Sequence, residues 1–139
     1  MRDVSGHGAT CVMADAAEQW AAQSLYDIET AKAMLDASRY LYVLFCCQQA
    51  VEKMLKALIA KRTRELPPRL HNLMRLAEVA SLTIPEDTAH LFRRLTDFYI
   101  ASRYPEELET ATWSVDAAQV QQTYVATEEV LRWLSAVLS

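Results

Sequence analysis

The chain has 139 residues, one domain's length, and a domain of that size buries roughly 68–70% of its unfolded surface without a metal or disulfide staple. Its only glycines are Gly6 and Gly8, so β-rich folds, whose tight turns draw on glycine, are excluded. A formal charge of −4 excludes a molecule that is basic all over, as broad nucleic-acid binders are, but leaves room for a local basic pocket.

Residues 1–12 carry both glycines and no periodicity, and read as a disordered extension ahead of a domain spanning 13–139, with Met13 as a candidate start. The first helix is predicted from about Asp15 to Ala37. Asp15 would cap it, with Glu18 three residues on as in a capping box, and Ala21, Leu25, Ile28 and Leu35 would form its apolar stripe. A second helix, about Arg39 to Lys61, is apolar on most of its circumference, which predicts a central element covered on several sides. It carries one polar stripe: Gln49, Glu52, Lys53 and Lys56.

Pro67-Pro68 makes Thr63–Arg69 a loop. A short third helix follows, about His71 to Ala80. Pro85 suits the first position of a fourth helix, with Glu86 and Asp87 at its positive end and Leu91, Leu95 and Phe98 facing the core. Tyr104-Pro105 ends it near Ser102 or Arg103. A polar loop runs from about Pro105 to Thr112. A fifth helix spans about Val115 to Val137, capped by Ser114, with Val120, Tyr124, Leu131, Leu134 and Leu138 as its stripe. The expected fold is all-α: an antiparallel up-and-down bundle of four long helices and one short one.

Cys46 and Cys47 sit in an apolar helical run, where they act as small hydrophobes, and three cysteines give no disulfide framework. No apolar run reaches the roughly 18 residues of a membrane span, and no signal-peptide core opens the chain, so the expected location is the cytoplasm, with no membrane partner. There is no glycine-rich phosphate loop and no metal-ligand spacing. No catalytic residue, metal or cofactor is therefore assigned.

Three patterns occur in order: Phe45-Cys-Cys-Gln-Gln-Ala-Val-Glu-Lys-Met-Leu-Lys-Ala-Leu58, His71-Asn-Leu73, and Tyr99-Ile-Ala-Ser-Arg-Tyr-Pro105. Together they resemble the HEPN family (higher eukaryotes and prokaryotes nucleotide-binding), over about Asp15 to Leu138. The resemblance implies a helical bundle that is usually a homodimer. It also implies partnership with a minimal nucleotidyltransferase in a toxin–antitoxin-like gene pair, and a nucleotide or RNA ligand. The family's ribonuclease branch carries Arg, four to six residues, then His on one helix. Here Arg103 is followed by no such histidine, and the match Arg64 to His71 crosses Pro67-Pro68. The chain resembles the Arg-Tyr-Pro branch instead.

The candidate nucleotide-binding residues are Arg103, Tyr104, Lys53, Lys56, His71, Gln49 and Glu52. Arg103 offers a planar fork for phosphate, Tyr104 a stacking face, and the lysines compact charges, with Gln49 as polar neighbour. His71 could donate to phosphate or orient Arg103. Glu52 and Lys56 form a favourable i, i+4 pair. The polar stripe reads equally as a solvated or dimer-rim face, and Arg103 as a cation at a helix C-terminus. Three functions follow: a binding and regulatory module, a dimerisation scaffold without ligand, and a metal-independent ribonuclease using Arg103 and His71.

Overall fold

The second helix organises the molecule, as its nearly all-round apolar surface requires. The computed structural model describes residues 6–104, 106 and 115–139. Its helices are α1 (Gly6–Asp36), α2 (Tyr40–Thr63), α3 (Leu73–Val79), α4 (Glu86–Ala101) and α5 (Ala117–Leu138), with no strand among the described residues. Each of the other four helices packs on α2. From Ala50 to Ala60 every α2 side chain is buried except Lys53. Leu55, Leu58 and Ile59 meet Leu73, Leu76, Phe92, Leu95 and Leu134 in one continuous core.

α1 and α2 form an antiparallel hairpin seamed by small residues. Ala17, Ser24 and Ala31, spaced by seven, are the buried positions of α1 between residues 15 and 36. Such spacing follows a helix pair's contact line, and small side chains let the backbones close up. Ser24 Oγ uses that proximity to donate to the Ala50 carbonyl at 2.6 Å. Leu25, expected in the buried stripe, lies one step off the seam and is 59% exposed.

Several boundaries differ from expectation, each for a local reason. α1 starts at Gly6, so residues 6–12 are helical and Asp15 lies inside the helix without a capping role. Once a helix is nucleated each added residue gains a hydrogen bond, which carries it through residues that would not start one. α3 is shorter than predicted because Asn72 caps it, its side chain accepting from Arg75 N–H. His71 therefore precedes the helix. Asp116 caps α5 by accepting from Gln119 N–H at 2.8 Å, in place of Ser114. Most of the expected Pro105–Thr112 loop, and Ser114, lie outside the described residues.

A chain without glycine after residue 8 still has to stop its helices. Ser38, Arg64 and Ser81 do so with positive φ, near 60°. At Ser38 and Ser81 the next residue's N–H reaches back to close the helix end, Arg39 to Met34 and Leu82 to Ala77. The left-handed conformation costs a residue with a Cβ about 1–2 kcal/mol, which the helix packing offsets.

On α5, the Tyr124 hydroxyl donates to Glu128 at 3.0 Å. Burial first, and that hydrogen bond second, push its pKa up to about 12. In the unfolded chain the phenol ionises near its ordinary 10. Above pH 10 the unfolded state therefore sheds a proton that the folded state keeps, and stability falls as pH rises toward 12. Tyr124→Phe is expected to flatten that decline, and below pH 10 to lower stability by the lost hydrogen bond without changing its pH dependence, as read by urea midpoints on both sides of pH 10.

Candidate functional site

Four residues spaced one helical turn apart, Gln48, Glu52, Lys56 and Ala60, fall on one line of α2. The first three are polar and buried, retaining 0%, 4% and 7% of their surface. A charge in that setting has to be paired. Glu52 is the hub. Its Oε1 accepts from Gln48 Nε2 and His71 Nδ1, both at 3.0 Å, and its Oε2 accepts from Lys56 Nζ at 3.0 Å. The Lys56 ammonium also lies 5.4 Å from the centre of a Trp20 ring, a cation–π contact from α1.

The loop before α3 is fastened to this hub. Gln48 Nε2 donates to the His71 carbonyl at 3.1 Å as well as to Glu52, and Gln49 Nε2 donates to Gln48 Oε1 at 2.7 Å. Two residues on, Leu73 N–H donates to Thr96 Oγ1 of α4. His71 is thus held from both sides, while its side chain stays 44% exposed.

Beyond His71 the site continues in aromatic contacts. The His71 and Tyr99 ring centres are 5.0 Å apart, and the Arg103 guanidinium lies 5.1 Å from the Tyr99 centre. Phe45 of α2 stacks on Tyr99 at 6.0 Å. Phe45 also lines an apolar cleft of about 230 Å³ with Leu41, Tyr42, Phe98 and Ser102. Arg103 follows the end of α4 in a turn, its N–H bonded to the Ile100 carbonyl.

Glu52, Lys56, His71 and Arg103 therefore join one chain of contacts, Lys56 through Glu52 and Arg103 through Tyr99. Gln49 touches it through Gln48. Tyr104 follows Arg103 and is 54% exposed. Lys53 does not join. It points toward α1, with Nζ 2.8 Å from Asp27 Oδ2, an oxygen that has no well-directed hydrogen bond. Neighbours on a helix lie on different faces, so the polar stripe divides between Glu52 and Lys53. Gln48, Tyr99, Phe45 and Trp20 belong to the site although the sequence reading did not select them. The signal for Gln48 and Tyr99 was their i, i+4 spacing to Glu52 and Arg103.

The segment that carries His71 is cationic although the chain is not. Between Lys61 and Arg75 stand five lysines and arginines against one acid, Glu65. All five are exposed. Lys61 donates to the Leu138 carbonyl and Arg62 to the Ala80 carbonyl. Arg64, Arg69 and Arg75 form no ion pair among the described residues. Arg69 is two residues from His71 and Arg75 one turn beyond it. The Cys46 and Cys47 thiols take no part: burial pushes Cys47 up to about 12 and raises Cys46 as well.

The family's HEPN domain model matches residues 17–137, which takes in every residue of this site. The chain belongs to the HEPN domain family. TT1696 from Thermus thermophilus shares the fold of this HEPN domain with a TM-score of 0.71. The two are 23% identical, and the match covers 86% of this chain and 96% of that one. Among curated proteins none matches. No described helix is long and apolar enough to cross a membrane. No group of three or more His, Cys, Asp or Glu that could hold a metal ion occurs among the described residues.

The ion cluster sets a stability test. Removing one member of a buried pair leaves the other charge uncompensated, so Glu52→Gln or Lys56→Met alone is expected to cost about 3–5 kcal/mol. The double substitution removes both charges and should cost less than the two together. Urea unfolding of the three variants measures this, and strict additivity would contradict the coupling.

Proposed function

We propose that this HEPN domain is a nucleotide- or RNA-binding module that works as a homodimer beside a minimal nucleotidyltransferase, without catalysing a reaction itself. The observation that carries the reading is the contact chain Glu52–His71–Tyr99–Arg103, which aligns a half-exposed histidine, an aromatic ring and a guanidinium on one face. Arg103 grips phosphate, His71 borders it, and Tyr104 supplies a flat face for a base. Arg69 and Arg75, close to His71 in sequence and outside any ion pair among the described residues, add positive charge beside it, where an anionic ligand would otherwise meet a chain of net charge −4. Lys56 contributes by holding Glu52, and Lys53 by its pair with Asp27, so neither lysine is the primary phosphate contact.

The exposed Phe45, stacked on Tyr99, and the exposed Tyr42, which lines the same cleft as Phe45, support the homodimer, because apolar side chains next to a charged site suit a second copy. Pairing with a nucleotidyltransferase in a toxin–antitoxin-like gene pair rests on the family resemblance, and co-purification with the product of a neighbouring nucleotidyltransferase gene tests it. A second reading, a metal-independent ribonuclease, is favoured by one fact: His71 and Arg103 both lie about 5 Å from the Tyr99 ring centre although no single helix carries them. A histidine near a phosphodiester can act as acid or base.

Thermal-shift titration with nucleotides and short RNA is expected to stabilise the wild type, and Arg103→Ala to weaken binding by about tenfold or more, the value of a charge-assisted hydrogen bond. No shift with any of these ligands, alone or with a nucleotidyltransferase partner, would overturn the reading. RNA cleavage that disappears in both His71→Ala and Arg103→Ala would establish the ribonuclease instead.

A further inference from the structure

A cleft of about 580 Å³ opens between α2, α4 and α5. That volume suits a small molecule. His90, Arg94 and Asp97 of α4 and Gln119 of α5 line it, and all four side chains are exposed. Residues 90, 94, 97 and 101 follow one line along α4, and Tyr99 stands about half a turn round the helix from that line. The cleft and the His71–Tyr99 contacts therefore occupy opposite faces of α4. Leu44 of α2, Leu95 and Phe98 of α4, and Val115 supply an apolar wall. Leu44 and Leu95 are buried, while Phe98 and Val115 are half-buried. Thr123 also borders the cleft, but its hydroxyl donates to the Gln119 carbonyl at 2.9 Å.

The charges that line this cleft are of both signs. Arg94 and Asp97 are three residues apart on the helix, a spacing that sets their Cβ atoms roughly 5–6 Å apart. Such neighbours can pair, yet Arg94 and Asp97 form no ion pair among the described residues. Arg94 offers a planar fork of donors for a carboxylate. His90, one turn before it, has at least one ring N–H in either tautomer. The Asp97 carboxylate offers only acceptors. A ligand that satisfies this set carries an anion and a cationic donor side by side, with an apolar group for the wall. A nucleotide phosphate would be repelled by Asp97, and a plain carboxylic acid would leave Asp97 unmatched. In an α-amino acid the carboxylate, the ammonium and the side chain all leave one carbon. We propose that this cleft binds an α-amino acid with a large apolar side chain, its carboxylate on Arg94 and His90, its ammonium on Asp97, and its side chain against Leu44, Leu95 and Phe98. The inference does not rest on the nucleotide-binding reading and gives the domain a second ligand of different chemistry.

The test is titration calorimetry with L-phenylalanine and L-leucine. N-acetyl-L-phenylalanine, which lacks the ammonium, L-phenylalaninamide, which lacks the carboxylate, and glycine, which lacks the side chain, are the comparisons. Each should bind more weakly than L-phenylalanine, the first two by about tenfold or more, the size of one charge-assisted hydrogen bond. Arg94→Gln and Asp97→Asn should each weaken L-phenylalanine by a similar factor, and both positions are exposed, so the variants keep the fold. In Asp97→Asn the gap between L-phenylalanine and its N-acetyl form should close, and in Arg94→Gln the gap to the amide should close. Backbone nitrogen-15 spectra locate the ligand, and the expected shifts are at Gln119 and Thr123. Binding of neither amino acid overturns the inference. So does an N-acetyl form that binds the wild type as tightly as L-phenylalanine, or an affinity unchanged in both variants. Shifts centred on His71 and Leu73, or displacement of L-phenylalanine by AMP, would also overturn it and leave the nucleotide-binding reading standing.

Discussion

A single buried carboxylate is the constraint on which the site depends. Glu52 lies inside α2, the most buried helix, and keeps only 4% of its surface exposed. An ionised group in that position is tolerated only when its lone pairs are filled. Gln48, Lys56 and His71 fill them. One comes from the preceding turn, one from the following turn and one from a loop 19 residues away. The last of these turns a requirement of burial into a functional geometry, because it pins a loop histidine against the bundle.

Such a cluster is a poor device for stability alone. Well-packed apolar residues of the same volume often serve a core as well or better. Its value here is specificity of arrangement. The Pro67-Pro68 loop could rest on α2 in several ways, and the donors to Glu52 and from Gln48 admit one. Thr96 then fixes the start of α3 against α4, the helix that also carries Tyr99 and leads into Arg103. The three ordered sequence patterns are the three walls of this assembly. Each is weak as a string of letters, and their contacts explain why they occur together.

The fold was legible because burial and periodicity act along the chain. The near-continuous apolar surface of the second helix announced its central place, and Pro67-Pro68 announced the break after it. The small-residue seam at Ala17, Ser24 and Ala31 was harder to read, since alanine and serine give little hydrophobic signal and Leu25 outweighed them. Helix ends shifted where capping chemistry had two candidates, as with Asp116 against Ser114. In the site, Glu52, Lys56, His71 and Arg103 could be selected from their types and spacing. Tyr99 carried only its i, i+4 spacing to Arg103; its contact with His71 crosses elements, and no one-dimensional pattern records that. Lys53 looked equivalent to Lys56 in the sequence, yet it stands about 100° round the helix from Glu52 and pairs with Asp27 of α1 instead.

The central claim is that Glu52 holds His71 by Nδ1. Nitrogen-15 spectra of the imidazole rings, with His71 assigned by its loss in His71→Gln, test this most directly. A proton on His71 Nδ1 that exchanges slowly in the folded protein, and exchanges faster in Glu52→Gln, is the predicted result. An Nδ1 without a proton, or one that exchanges as fast as in the unfolded chain, would contradict the account.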